Sequence, residues 1–221
     1  MIKYNEYLSW SGNQNNPPDL IIKGGDAIEI KKMGGENNIM LNSSFPKKKL
    51  YRDSNLISHN CRECEGNTWV NKDICYVIGA VDNKTKIFKS IWFVYGDCYC
   101  ADTNVYTIIK DKITEGISTL HLELSKTNEI ARVNKVDPLG ITDLRVRGMW
   151  QIKHPSKVFS YLQPNILPSI KMLMLKSKYD AFPSTFKQEL EKLSNVKSVK
   201  IADPNNPANL LDAMFVDYQI Q

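Results

Sequence analysis

A chain of 221 residues with 42% hydrophobic and 24% charged residues can fill one core, which excludes a low-complexity polymer. No apolar run approaches the ~20 residues a bilayer requires and the polar N-terminus lacks a signal-peptide core, so no membrane is expected and the cytoplasm is the expected location. The net charge of +5 is uneven: residues 145–200 hold eleven Lys or Arg against three acids, which suits a polyanion-binding surface, although charge alone favours a lysine-rich solvated face.

Residues 1–16 are polar and asparagine-rich, with Tyr4, Tyr7, Leu8 and Trp10 as anchors. The alternation in PPDLIIKGGDAIEIKK, residues 17–32, then predicts a β-hairpin. A two-residue turn at Gly24-Gly25 would pair Leu20 with Glu29 and send Asp19 to the opposite face. A three-residue loop, Gly24 to Asp26, pairs Leu20 with Ile30, Ile22 with Ile28 and Asp19 with Lys31. Slipping by one residue flips every side chain, so burial of one wholly aliphatic face selects this second register. The other face then gathers Asp19, Glu29 and Lys31. Two carboxylates on adjacent strands are hard oxygen ligands for Mg²⁺, and a lysine beside them can orient an attacking water. That chemistry is metal-dependent phosphodiester hydrolysis. An ordinary hairpin with a solvated charged face fits the same residues.

Residues 33–72 lack a sustained period, which points to short helices or a functional arm; Ser43, Ser44 and the lysines beginning at Lys47 are candidate phosphate contacts. Five cysteines argue against a disulfide framework. Cys61 and Cys64 have metal-ligand spacing and Cys98 with Cys100 could complete a zinc site, His59 and Cys75 being substitutes. The spacing of the second pair is a poor match, and reduced structural cysteines are expected.

Ile74–Val81 and Ile91–Tyr95 are expected central strands, Thr103–Gly116 an amphipathic helix, and Leu120–Leu124 a further strand. Ile141–Arg147 alternates, projecting Arg145 and Arg147 from one face, with Asn134, Asp137 and Trp150 close by. Arginines at i and i+2 suit bidentate contact with neighbouring guanines; either could equally bind phosphate, or pair with Asp143 or another acid. Pro155 opens a helix through Leu162, and Ile170–Leu175 suits helix or strand. Pro183–Leu193 reads as a helix with Phe186, Leu190 and Leu193 buried, before closing strands at Val196–Ala202 and Ala213–Ile220.

Taken together, GNQNNPPDLIIKGGDAIEIKK, LNSSFPKKKLY, CRECE, IWFVYGD, ARVNKVDPLGITDLRVRGMWQIKHP and DPNNPANLL resemble the NgoPII-type type II restriction endonucleases in order along the chain. The resemblance implies a PD-(D/E)xK fold and a Mg²⁺-dependent homodimer that cuts double-stranded DNA at a palindrome, GGCC. It implies Asp19 and Glu29 as metal-binding carboxylates, Lys31 as the catalytic lysine, and the Arg145–Trp150 region as a recognition element. The family's Cys-x-x-Cys matches Cys61 and Cys64 but does not extend to Cys98 and Cys100, so a four-thiolate zinc site is not implied. Family members carry a helical segment ahead of the hairpin, and this chain starts eighteen residues before Asp19, so that segment is expected to be missing. The expected fold is α/β, a mixed central β-sheet flanked by helices in one domain over residues 1–221. A structure-directed or repair nuclease, or a shortened DNA-binding protein without catalysis, are the competing functions.

Overall fold

The computed structural model describes residues 6–13, 16–42, 45–119, 124–125, 129–162 and 168–220. The chain forms two compact units, one of Met1–Ile39, Lys47–Ala101 and Lys153–Gln221, the other of Met40–Pro46 and Asp102–Ile152. In chain order the strands are β1 (Leu8–Asn13), β2 (Asn16–Ile22), β3 (Ala27–Gly34), β4 (Ile39–Asn42), β5 (Lys49–Tyr51), β6 (Asn71–Val81) and β7 (Phe88–Tyr95). They continue as β8 (Ala131–Val133), β9 (Leu144–Val146), β10 (Met149–Ile152), β11 (Ser169–Leu175), β12 (Asn195–Ala202) and β13 (Leu210–Gln219). The α-helices are α1 (His59–Glu63), α2 (Gly96–Tyr99), α3 (Thr103–Ser118), α4 (Pro155–Val158), α5 (Lys176–Asp180) and α6 (Ser184–Leu193). Among the described residues, no helix is long and apolar enough to cross a membrane.

The larger unit is built on one mixed sheet in the order β1-β2-β3-β6-β7-β11-β13-β12, with β5 paired to β6. β3 runs parallel to β6 and β7 parallel to β11, while the other neighbours are antiparallel. β6 and β7 sit centrally because both their faces are apolar, as expected of strands covered on two sides. On one face Trp92 packs against Phe159 and Phe215, and Tyr99 of α2 lies edge-on to Tyr76. On the other, Cys75, Tyr95 and Met174 pack with Tyr179 of α5, and Phe182 and Leu190 extend that layer. Helical segments thus cover both faces of this sheet.

Several expected elements take a different form. The segment after Pro155 is one α-helical turn followed by a 3₁₀ turn at Ser160–Leu162. Helix α6 forms where expected, but Phe186 and Leu193 are exposed, and only Leu190 of the expected stripe joins the core. A helix of ten residues at the sheet margin reaches the core with one turn. Of Ile141–Arg147 only Leu144–Val146 is strand, because Asp137 captures the Leu139, Ile141 and Thr142 amides in a loop. The strand expected at Leu120–Leu124 falls mostly outside the described residues; Leu124 bridges Val133.

The smaller unit holds α3, the β8–β9 ribbon and the pairing of β4 with β10. Phe45 stacks on Tyr106 at 5.3 Å, and Trp150 meets both rings edge-on. Thr114 Oγ1 donates to the Ile130 carbonyl at 2.8 Å, tying α3 to the start of β8.

Candidate active site

The hairpin of β2 and β3 carries the carboxylates. Its ladder pairs Leu20 with Ile28 and Ile21 with Ala27. The loop is Lys23-Gly24-Gly25, closed by Ile22 N donating to the Asp26 carbonyl at 3.0 Å, and Gly24 takes the left-handed φ of +66° that this turn needs. The expected pairing of Leu20 with Ile30 is therefore displaced by two residues. Long-range partners decide the loop. Lys178 Nζ and Tyr95 OH bind the Asp26 carboxylate at 2.7 and 2.8 Å, Glu65 accepts from Gly24 N at 2.9 Å, and Lys72 donates to the Gly25 carbonyl at 2.9 Å. Asp73, bound by Lys178 and Lys49, completes this network beside a cavity of about 610 Å³.

A slip of two preserves parity, so Asp19, Glu29 and Lys31 remain on one side of the hairpin. The ladder, continued by one residue, sets Asp19 across from Glu29 rather than Lys31. Asp19 Oδ2 accepts from Ile30 N at 2.6 Å, and Lys31 Nζ lies 3.4 Å from Glu29 Oε2. β1 braces the approach: Trp10 Nε1 donates to the Pro18 carbonyl at 3.3 Å. A Cβ on Gly12 would lie 2.3 Å from that carbonyl oxygen, so only glycine allows β1 to pass so close.

Which face is buried differs from the expectation. Ile21 and Ala27, on the carboxylate side, are fully buried, whereas Ile22 and Ile30 are 43% and 45% exposed. The carboxylate side is continuous with the face of β6 that carries Ile74, Tyr76 and Ile78, since the parallel register sets Glu29 beside Tyr76. The aliphatic side is covered around Ile28 by the Cys75–Tyr95–Tyr179 layer and left open at Ile22 and Ile30.

Burial pushes the Glu29 carboxyl above its ordinary value of 4.5, with Lys31 and Lys47 opposing the rise and Asp19 adding to it. Burial likewise holds the Lys47 ammonium below its ordinary range, with Glu29 opposing. The Tyr76 phenol fixes Lys47 from both sides, accepting from its N–H at 2.8 Å and donating to its carbonyl at 3.1 Å. Tyr76 as the link between Lys47 and Glu29 has no signal in the sequence, because 29 residues separate phenol and lysine. Two facing carboxylates that repel one another fit a divalent cation, which would take hard oxygen ligands from both. Among the described residues no third His, Cys, Asp or Glu joins them as a metal-binding group. All five cysteines are free thiols.

These surroundings have a measurable consequence. A carboxyl with a raised folded value contributes stability that is complete below its unfolded value and lost as pH rises through the folded one. In metal-free buffer Glu29→Gln is expected to melt at a higher temperature than the unaltered protein at pH 8, with the gain shrinking towards pH 5. Calorimetry at the two pH values checks this, and an equal difference at both would refute the burial argument.

The other candidate residues belong to the smaller unit or its borders. Ser43 and Ser44 lie outside the described residues. Arg145 donates from Nε and Nη2 to the two carboxylate oxygens of Glu129 at 3.0 and 2.8 Å, and Arg147 Nε donates to Oε1 at 2.6 Å. The acid was not identifiable from the sequence, where Asp143 was the nearer choice; Asp143 pairs with Arg132 instead. Asn134 donates to Ser125 and has a buried carbonyl oxygen without a partner, while Trp150 is an aromatic-cluster residue.

A family model described as NgoPII restriction endonuclease matches residues 1–205. The Type II restriction enzyme NgoPII of Neisseria gonorrhoeae is 40% identical over 226 aligned residues, covering 99% of this chain and 80% of that enzyme. No solved structure matches.

Proposed function

The chain belongs to the NgoPII restriction endonuclease family, and we propose that within it Asp19, Glu29 and Lys31 form the centre that hydrolyses DNA. As a restriction endonuclease it cleaves DNA at specific sites. The finer reading is a PD-(D/E)xK nuclease in which the smaller unit is an insertion in one domain. It acts as a cytoplasmic homodimer on a palindromic double-stranded site, GGCC, with Mg²⁺.

One observation carries this reading: the Asp19 carboxylate acts on Glu29 from the same side of the hairpin, where the Leu20–Ile28 ladder continued by one residue would set it opposite, and Lys31 lies 3.4 Å from the Glu29 carboxylate. Asp19 and Glu29 would hold the Mg²⁺, which supplies charge that polarises the phosphodiester. Lys31 orients the attacking water through its ammonium hydrogens. Lys47, fixed by Tyr76 beside Glu29, offers an ammonium to a phosphate oxygen and offsets the charge that develops there. Ser43 and Ser44 add neutral phosphate contacts. Arg145 and Arg147, exposed on one ribbon, read guanine edges, one half-site for each protomer.

Incubating the full-length protein with plasmid and Mg²⁺, then sequencing the fragment ends, tests this proposal. Discrete ends within GGCC are expected, and none should form in EDTA. Site-specific binding without any strand cleavage would remove the catalytic role.

A further inference from the structure

Three arginines occupy one face of the β8–β9 ribbon. Arg132 pairs across the ladder with Arg145, Arg147 follows two residues later, and Ala131 and Val133 point the other way into the smaller unit's core. A two-stranded ribbon has the width of a DNA major groove. Glu129 precedes the ribbon and is itself anchored, because Ile130 N donates to the Val146 carbonyl at 3.1 Å and Thr114 holds the Ile130 carbonyl. Its side chain is 13% exposed, against 53% and 58% for Arg145 and Arg147.

How Glu129 engages the two guanidinium groups decides its role. It takes Nε and Nη2 of Arg145, the inner edge of that fork, and only Nε of Arg147. Each arginine therefore keeps the outer Nη1–Nη2 edge, which is the edge that matches the O6 and N7 acceptors of a guanine. Two adjacent cations without a shared anion would repel each other and spread over many rotamers.

We infer that Glu129 is a positioning residue for sequence specificity: its carboxylate locks Arg145 and Arg147 side by side with their outer edges presented to two neighbouring guanines. This rests on the reading of the two arginines as base contacts. An acid serving only as a structural ion-pair partner would affect all DNA alike. A positioning acid affects the cognate site and spares unrelated sequence, where the arginines meet phosphates in any rotamer.

The test compares kcat/KM on a duplex carrying the site recovered from the plasmid digest with that on the same duplex altered at one guanine. Affinity for an unrelated duplex is measured alongside. For Glu129→Ala the ratio of cognate to altered kcat/KM is expected to fall roughly tenfold or more, the scale of one bidentate base contact. Affinity for unrelated duplex should be unchanged or higher, since an acid has been removed. Glu129→Gln, nearly isosteric and keeping one good acceptor, should lie between the two and serves if the alanine variant folds poorly. Arg145→Ala and Arg147→Ala run in parallel. An unchanged ratio in the arginine variants would overturn base reading by the pair. A collapsed ratio in those variants, with full discrimination kept by both Glu129 variants, would overturn the inference about Glu129 alone. Equal losses on cognate and unrelated duplex would also overturn it.

Discussion

Lys31→Ala is expected to slow cleavage of the cognate duplex by about 10³-fold, in the range that positioned proton-transfer groups contribute, while affinity for that duplex changes only a few-fold. The separation follows from where Lys31 sits. Its ammonium is directed at the Glu29 carboxylate, in the row of side chains on β3 where the attacking water would stand. Arg145 and Arg147, the proposed base contacts, belong to the smaller unit and are engaged by Glu129 rather than by Lys31. Glu29→Ala should be at least as severe, because it removes a proposed metal ligand together with the group that pairs Lys31. Single-turnover rates with Mg²⁺, beside gel-shift affinities without it, provide the measurement. Full cleavage by Lys31→Ala would take the lysine out of the mechanism.

The second large effect concerns stability. Lys171 is wholly buried on the central sheet, 3.8 Å from Asp217 on the neighbouring strand, beside Ser169 and 5.8 Å from the centre of the Trp92 ring. Burial pushes the Lys171 ammonium below its ordinary range, with Asp217 pulling it back. Asp217→Ala leaves the buried ammonium with Ser169 and the weaker pull of Glu36 but without its paired carboxylate, and a loss of about 3 kcal/mol is expected, the lower end of the usual cost of breaking a buried pair. Replacing both, Lys171→Met with Asp217→Leu, should recover most of the loss because no charge remains to be desolvated. Urea unfolding of the three variants decides the matter. A loss under about 1 kcal/mol for the single change would mean that the pair is not isolated from water.

The elements recovered from the sequence are those with local causes. β6, β7 and α3 follow from runs and periods within a single segment. The parity that keeps Asp19, Glu29 and Lys31 together also holds, because any loop with an odd number of residues preserves it, but the aliphatic face whose burial selected it is open at Ile22 and Ile30. The limits of that reasoning are equally physical. Alternation specifies two faces without saying which one will be covered. Here the sheet continues on the carboxylate side through Tyr76 and Ile78 while Ile22 and Ile30 stay open.

Everything joining distant parts of the chain was decided by the tertiary structure. Asp26 is drawn out of the hairpin loop by Lys178, a residue 152 positions away, and that contact brings Asp19 opposite Glu29. The Tyr76 clamp on Lys47, the Glu129 bridge between two arginines, and the Lys171–Asp217 pair are contacts of the same kind. A residue pattern records which side of its own strand a group occupies. Its partner across the sheet depends on how separate segments pack, and the energy that selects that packing is spread over the whole core.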